Sequence, residues 1–117
     1  MGDREDYELA IAACIQLRDT MRSTMSTLED EVDGSNRIID ALTGGTPMVE
    51  AVRAHAINNL REGLTETLAQ LDAARAEARL RMFEALLHDG LTLGDIARLW
   101  GISRQLAQRI VHQAKNA

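Results

Sequence analysis

Apolar side chains return along the first thirty residues at alternate steps of four and three. The series is Tyr7, Ile11, Cys14, Arg18, Met21, Met25, Leu28 and Val32, with Arg18 the one polar member. That spacing is a heptad seam over nearly four repeats, and it predicts a single helix from about Asp3 to Asp33, a stretch free of Gly and Pro. Ala10, Ile15 and Leu17 widen the stripe at its start, which suits packing in a bundle as well as a two-stranded coil. Arg18 on the seam has two readings: a register-fixing residue paired with an acid, or a long side chain that snorkels to water along its own stem. Four acids at Glu29, Asp30, Glu31 and Asp33 oppose the helix dipole, so that end is expected to fray.

Asp33-Gly34-Ser35-Asn36 is a turn signal, and Ile38, Ile39 and Leu42 predict a short helical stretch over 37–42. Gly44-Gly45 then breaks the pattern as a hinge. Thr46 as cap and Pro47 as first helical residue predict the longest helix, from about Pro47 to His88. Its apolar positions are Val49, Val52, Ala56, Leu60, Leu64, Leu68, Leu71, Ala78 and Met82. Steps of four overshoot the helical period, so this stripe drifts and can meet two partners along its length. Gly63 marks a point of weakness in the middle. Met82, Phe83, Leu86 and Leu87 brace the segment beyond residue 91, and Asp89-Gly90 ends the helix.

The segment Thr92 to Ala114 reads as two short helices at a tight turn. Thr92 caps the first, Asp95 answers it as an acidic variant of the capping box, and the helix runs from about Leu93 to Trp100. Gly101 supplies the positive φ of a sharp exit, and Ser103 caps a second helix running to about Ala114. Ile96, Ala97 and Trp100 line one inner face, Ile102 plugs the turn, and Leu106, Ile110 and Val111 line the other. Trp100 is expected at the centre of a three-helix unit. The outward face of the second helix carries Arg104, Gln105, Gln108, Arg109 and His112, donor-rich side chains that suit base edges and phosphates.

These residues carry a resemblance. The segment resembles the helix-turn-helix of bacterial DNA-binding regulators, and is similar both to lactose-repressor-type headpieces and, in its Gly101-Ile102-Ser103-Arg104-Gln105 turn, to the promoter-reading C-terminal region of sigma factors. The likeness covers about the last third of the chain. Ala107 departs from it, since such motifs usually carry a β-branched residue there, and the motif's place at the C-terminus carries over no inducer domain. The resemblance implies a sequence-specific DNA-binding protein. Arg104, Gln105 and Gln108 would read base edges, Arg109 and His112 would reach bases or backbone, and Arg98, Ser103 and Lys115 would hold phosphates.

Composition changes the picture in two ways. Only three aromatics accompany abundant Ala and Leu, which favours an all-α protein with thin cores. The net charge of −5 is unevenly spread. Residues 1–33 hold nine acids and three bases, residues 34–78 six and four, and residues 79–117 three and six. The C-terminal third is therefore basic, and local charge is what phosphates meet.

Catalytic and metal chemistry has no support. His55, His88 and His112 lie far apart with no second ligand at helical spacing, the carboxylates recur as solvated faces, and Ser23 and Ser26 have no base nearby. Cys14, the single cysteine, fits a reducing cytoplasm and a place on the apolar seam. No apolar run approaches the roughly 20 residues of a membrane span. The expectation is an all-α, non-enzymatic cytoplasmic protein without cofactor. Residues 1–78 form a long-helix dimerisation bundle or coiled coil, and residues 79–117 a three-helix helix-turn-helix unit. Tyr7, Ile11, Cys14, Met21, Met25, Leu28 and Val32 are the dimerisation set. The partners expected are double-stranded DNA, a second copy of the chain, and a protein partner on the acidic N-terminal helices in the rival reading.

Overall fold

A computed structural model describes residues 2–55 and 57–116, without the side chains of residues 2, 3, 57, 58, 60 and 114–116. The described residues are all-helical, with no strand among them. In chain order the helices are α1 (Gly2–Thr43), α2 (Met48–Ala54), α3 (Ile57–His88), α4 (Leu93–Trp100) and α5 (Arg104–Asn116). No helix is long and apolar enough, among the described residues, to cross a membrane.

Two expected boundaries are corrected. The turn at 33–36 and the separate stretch 37–42 do not form, because α1 runs unbroken for 42 residues. Gly34, read as a turn former, instead lies buried within the helix. The long helix expected from Pro47 to His88 is divided at His55, which ends α2 with φ −105° and ψ 12°. Pro47 stands at the N-cap of α2, not inside it, and no side chain caps that end. Gly63 lies exposed within α3.

Three helices end in the same way. At Gly45, Gly90 and Gly101 the backbone turns left-handed, with φ of 95°, 97° and 71°. The next residue then donates its N–H five residues back: Thr46 to the Ala41 carbonyl at 2.9 Å, Leu91 to Leu86 at 3.1 Å, Ile102 to Ala97 at 3.0 Å. This closure satisfies carbonyls that a helix end leaves open, at a φ that L-residues rarely adopt. Gly44-Gly45, expected as a hinge, is thus the cap of α1.

The chain packs as two units. One comprises Met1–Arg18 with Ala73–Ala117, the other Asp19–Asp72. The start of α1 therefore packs in the same unit as α4 and α5.

In the first unit Phe83, Ile96, Ala97, Ala107, Ile110 and Val111 form the core, with Leu86, Leu87, Leu91, Leu93, Trp100, Ile102 and Leu106 around it. Phe83 is fully buried and occupies the centre expected for Trp100, which is half-buried beside it. On α1, Ala10, Ala13 and Leu17 turn inward, and on α3 Ala74, Ala78 and Ala85 do the same. Five of these six are alanines, and side chains that small allow two helices to lie close. Tyr7 Oη donates to Asp89 Oδ2, and Asp6 pairs with His88, so the start of α1 meets the end of α3.

In the second unit the inward row of α1 is Thr20, Thr24, Thr27, Glu31, Gly34, Ile38 and Ala41, matched on α3 by Leu64, Thr67 and Leu71, while α2 contributes the fully buried Ala51. Thr24, 5% exposed, donates its hydroxyl to the Thr20 carbonyl at 2.8 Å, which removes the cost of burying it. Val49, Val52 and Leu68 of the expected stripe are exposed, and Ala56 and the Leu60 side chain lie outside the described residues.

Candidate nucleic-acid interface

The α4–α5 pair is fixed by side-chain chemistry at each start. Thr92 Oγ1 accepts the Asp95 N–H at 3.1 Å, and Asp95 Oδ2 accepts the Thr92 N–H at 2.9 Å, the reciprocal pair expected. The Thr92 backbone N–H is the main reason that the Asp95 carboxyl lies below its ordinary range, with Arg98 adding to it. Ser103 Oγ accepts the Leu106 N–H at 3.0 Å and caps α5. Between them the turn is Gly101, Ile102 and Ser103.

The interior of the crossing is made by small residues. Ala97 and Ala107, 4% and 0% exposed, supply one from each helix. Ala107, the departure from the resembled pattern, is the more deeply buried of the two. Leu106, Ile110 and Val111 fill the space around it, as expected.

Successive residues of a helix turn by about 100°, so Leu106, Ala107, Ile110 and Val111 occupy an arc of about 140° and Arg104, Gln105, Gln108, Arg109 and His112 occupy the opposite one. All five outward side chains are exposed. Gln105, Gln108, Arg109 and His112 line one shallow hollow on that surface. α5 contains no acid, and its N-terminal end, where backbone N–H groups point outward, carries Arg104. Positive charge, amide donors and acceptors, and a helix start therefore share one face. Such a face can pair with phosphate oxygens and with the edges of bases.

The remaining expected phosphate contacts are placed less uniformly. Ser103 is exposed but its oxygen caps α5, leaving its O–H to donate. Arg98 extends into water and pairs with Asp95, an exposed pair of the kind that contributes little and exchanges readily. The side chain of Lys115 lies outside the described residues.

The expected dimerisation set is split between the units. Met21, Met25, Leu28 and Val32 stand exposed in file on α1 in the second unit. They lie beside the inward row, not on it, since the threonines, Glu31 and Gly34 take the intrachain contact. Tyr7 and Ile11 belong to the first unit. There they line a groove with Met82, Leu86, Leu99 and Trp100, and Cys14 is half-buried. Sequence reasoning had no role for Leu99, which is 64% exposed at the rim of that groove. Nor did any signal link Tyr7 to Asp89, 82 residues away.

Compared with models of protein families, with curated proteins and with solved structures, the chain matches none. Its functional reading rests on the chemistry of the α5 face.

Proposed function

We propose that the protein is a sequence-specific DNA-binding protein, a small bacterial transcriptional regulator that acts as a homodimer and places α5 in the major groove. One observation carries this reading: an acid-free, exposed arc of Arg104, Gln105, Gln108, Arg109 and His112 on a helix held from behind by a buried alanine crossing. Glutamine offers a donor and an acceptor on one amide and suits adenine. Arginine offers a planar fork that suits guanine or phosphate. One such helix reads too few base pairs for useful specificity, and a two-fold dimer doubles the contacts.

The test is selection of random DNA fragments on the purified chain, with a Gln105→Ala, Gln108→Ala variant alongside. An enriched two-fold site that the variant loses supports the reading. Absence of enrichment in the parent overturns it.

A second reading has its own observation. The exposed row Met21, Met25, Leu28 and Val32 stands on the unit Asp19–Asp72, which carries ten acids and four bases and is the less suited to phosphate. In that reading the chain is an adaptor whose acidic helices hold a protein partner, with α4 and α5 as scaffold or weak DNA anchor. Met21→Glu and Met25→Glu separate the two: a self-associating chain loses its dimer, whereas an adaptor is monomeric before the change.

A further inference from the structure

Within the unit Asp19–Asp72, two rows run side by side on α1. The inward one is committed to the chain itself. The outer one, Met21, Met25, Leu28 and Val32, is 45%, 62%, 41% and 58% exposed. Single exposed apolar residues are ordinary, but four large ones in file at steps of four, three and four are a heptad seam left open by the described residues of this unit.

The charges beside the row decide what covers it and which way the cover runs. Arg22 and Glu29, both exposed, flank the row on the side away from Thr24 and Glu31. In a parallel pair of helices each flank meets the opposite flank of its partner. The opposite flank here holds Thr24, buried in its own chain, and the acid Glu31, so Arg22 gains no countercharge at its own level and Glu29 none at all. A parallel pair also sets Glu29, Asp30 and Asp33 of one copy level with the same acids of the other, a concentration of like charge. In an antiparallel pair like flanks meet. Setting Met25 against the partner's Leu28, and Met21 against the partner's Val32, brings Arg22 of each copy opposite Glu29 of the other, twice by symmetry.

We propose that this row is covered by the same row of a second copy running antiparallel, centred between Met25 and Leu28 and directed by two Arg22–Glu29 pairs. The proposal rests on the homodimer reading and adds its direction.

The test uses the full chain with Cys14→Ser as background. Sedimentation gives the dimer constant of the parent, of Arg22→Glu, of Glu29→Arg, and of an equimolar mixture of those two variants. Each variant alone sets like charges opposite each other and weakens dimerisation by about fivefold or more, while the mixture, in which every pair is again opposite in charge, returns towards the parent. In parallel, mild oxidation of a mixture of Met21→Cys and Val32→Cys chains gives a disulfide heterodimer, and Val32→Cys alone gives little. A parent dimer in which Val32→Cys alone cross-links fully, or in which the charge-swapped mixture is no tighter than its components, overturns the antiparallel direction and leaves the homodimer standing. A parent that is monomeric at every concentration overturns both.

Discussion

Phe83 and Trp100 meet edge to face, ring centroids 4.8 Å apart and planes at 84°. Phe83 is fully buried while Trp100 keeps one side towards the groove shared with Tyr7 and Leu99. The pair ties the last turns of α3 to the end of α4. An edge-to-face pair contributes about 0.5–1.5 kcal/mol beyond the area it buries. Phe83→Leu, which keeps most of the volume, should cost about that much, and Phe83→Ala about 3–5 kcal/mol. Urea titration followed by the fluorescence of Trp100, the sole tryptophan, measures both. An Ala variant as stable as the parent would remove Phe83 from the core.

Ala107 has no exposed surface, and the crossing of α4 and α5 is built around it and Ala97. Ala107→Val adds two methyl groups to a filled space and should destabilise by about 1–3 kcal/mol. Thermal melting followed by circular dichroism decides it. A variant that melts with or above the parent would mean that the crossing has room to spare.

Asp95 gives stability a dependence on acid. Its carboxyl lies below the ordinary range in the folded chain, held there first by the Thr92 backbone N–H and further by Arg98. The folded state therefore keeps it ionised where the unfolded chain would protonate it. That contribution is complete above about pH 4, the ordinary aspartate range, and is lost as pH falls through the lower folded value. Asp95→Asn should lower the melting temperature near neutrality, and the gap to the parent should close towards pH 2. A gap of constant size across that range would show that the charge of Asp95 is irrelevant to the cap.

If the chain binds DNA as proposed, residues of α5 should divide by what they meet. Gln105→Ala should cost about 1–3 kcal/mol at the preferred site and relax the sequence preference. Lys115→Ala should weaken binding to all sequences alike and reduce the salt slope by about one. Binding isotherms at several salt concentrations, on the selected site and on a scrambled one, separate the two effects. Equal losses on both sequences for Gln105→Ala would exclude it from base reading.

The α4–α5 pair was legible residue by residue because its boundaries are chemical and local. Thr92, Asp95, Gly101 and Ser103 each act on backbone groups within six residues, and each does in the structure what its type and spacing predict. The outward face of α5 followed from the inward one by periodicity alone.

The N-terminal half was less legible because packing there overrides local signals. Asp33-Gly34-Ser35-Asn36 favours a turn in isolation, yet Gly34 lies buried in the interior of α1. The seam that periodicity picked out is real as a row but is the exposed one. A neighbouring row of Thr, Ala and Gly holds the chain together, and small residues leave a weak trace in a hydrophobicity pattern. The division at His55 has no glycine or proline in α2 to announce it. The Tyr7–Asp89 bond joins positions that no local rule connects.

The glycine closures bear on how the chain is made. At Gly45-Thr46 the end of α1 is complete once the ribosome has released those residues, because every acceptor used lies within the preceding five. Loop closures of this length take tens of nanoseconds, whereas synthesis adds about 5–20 residues each second. α1 thus waits, finished at its end but with its rows of threonine and methionine both uncovered, for the seconds before α3 emerges. During that interval the committed row and the free row are equally open, and the contact within the chain becomes possible only once α3 has emerged.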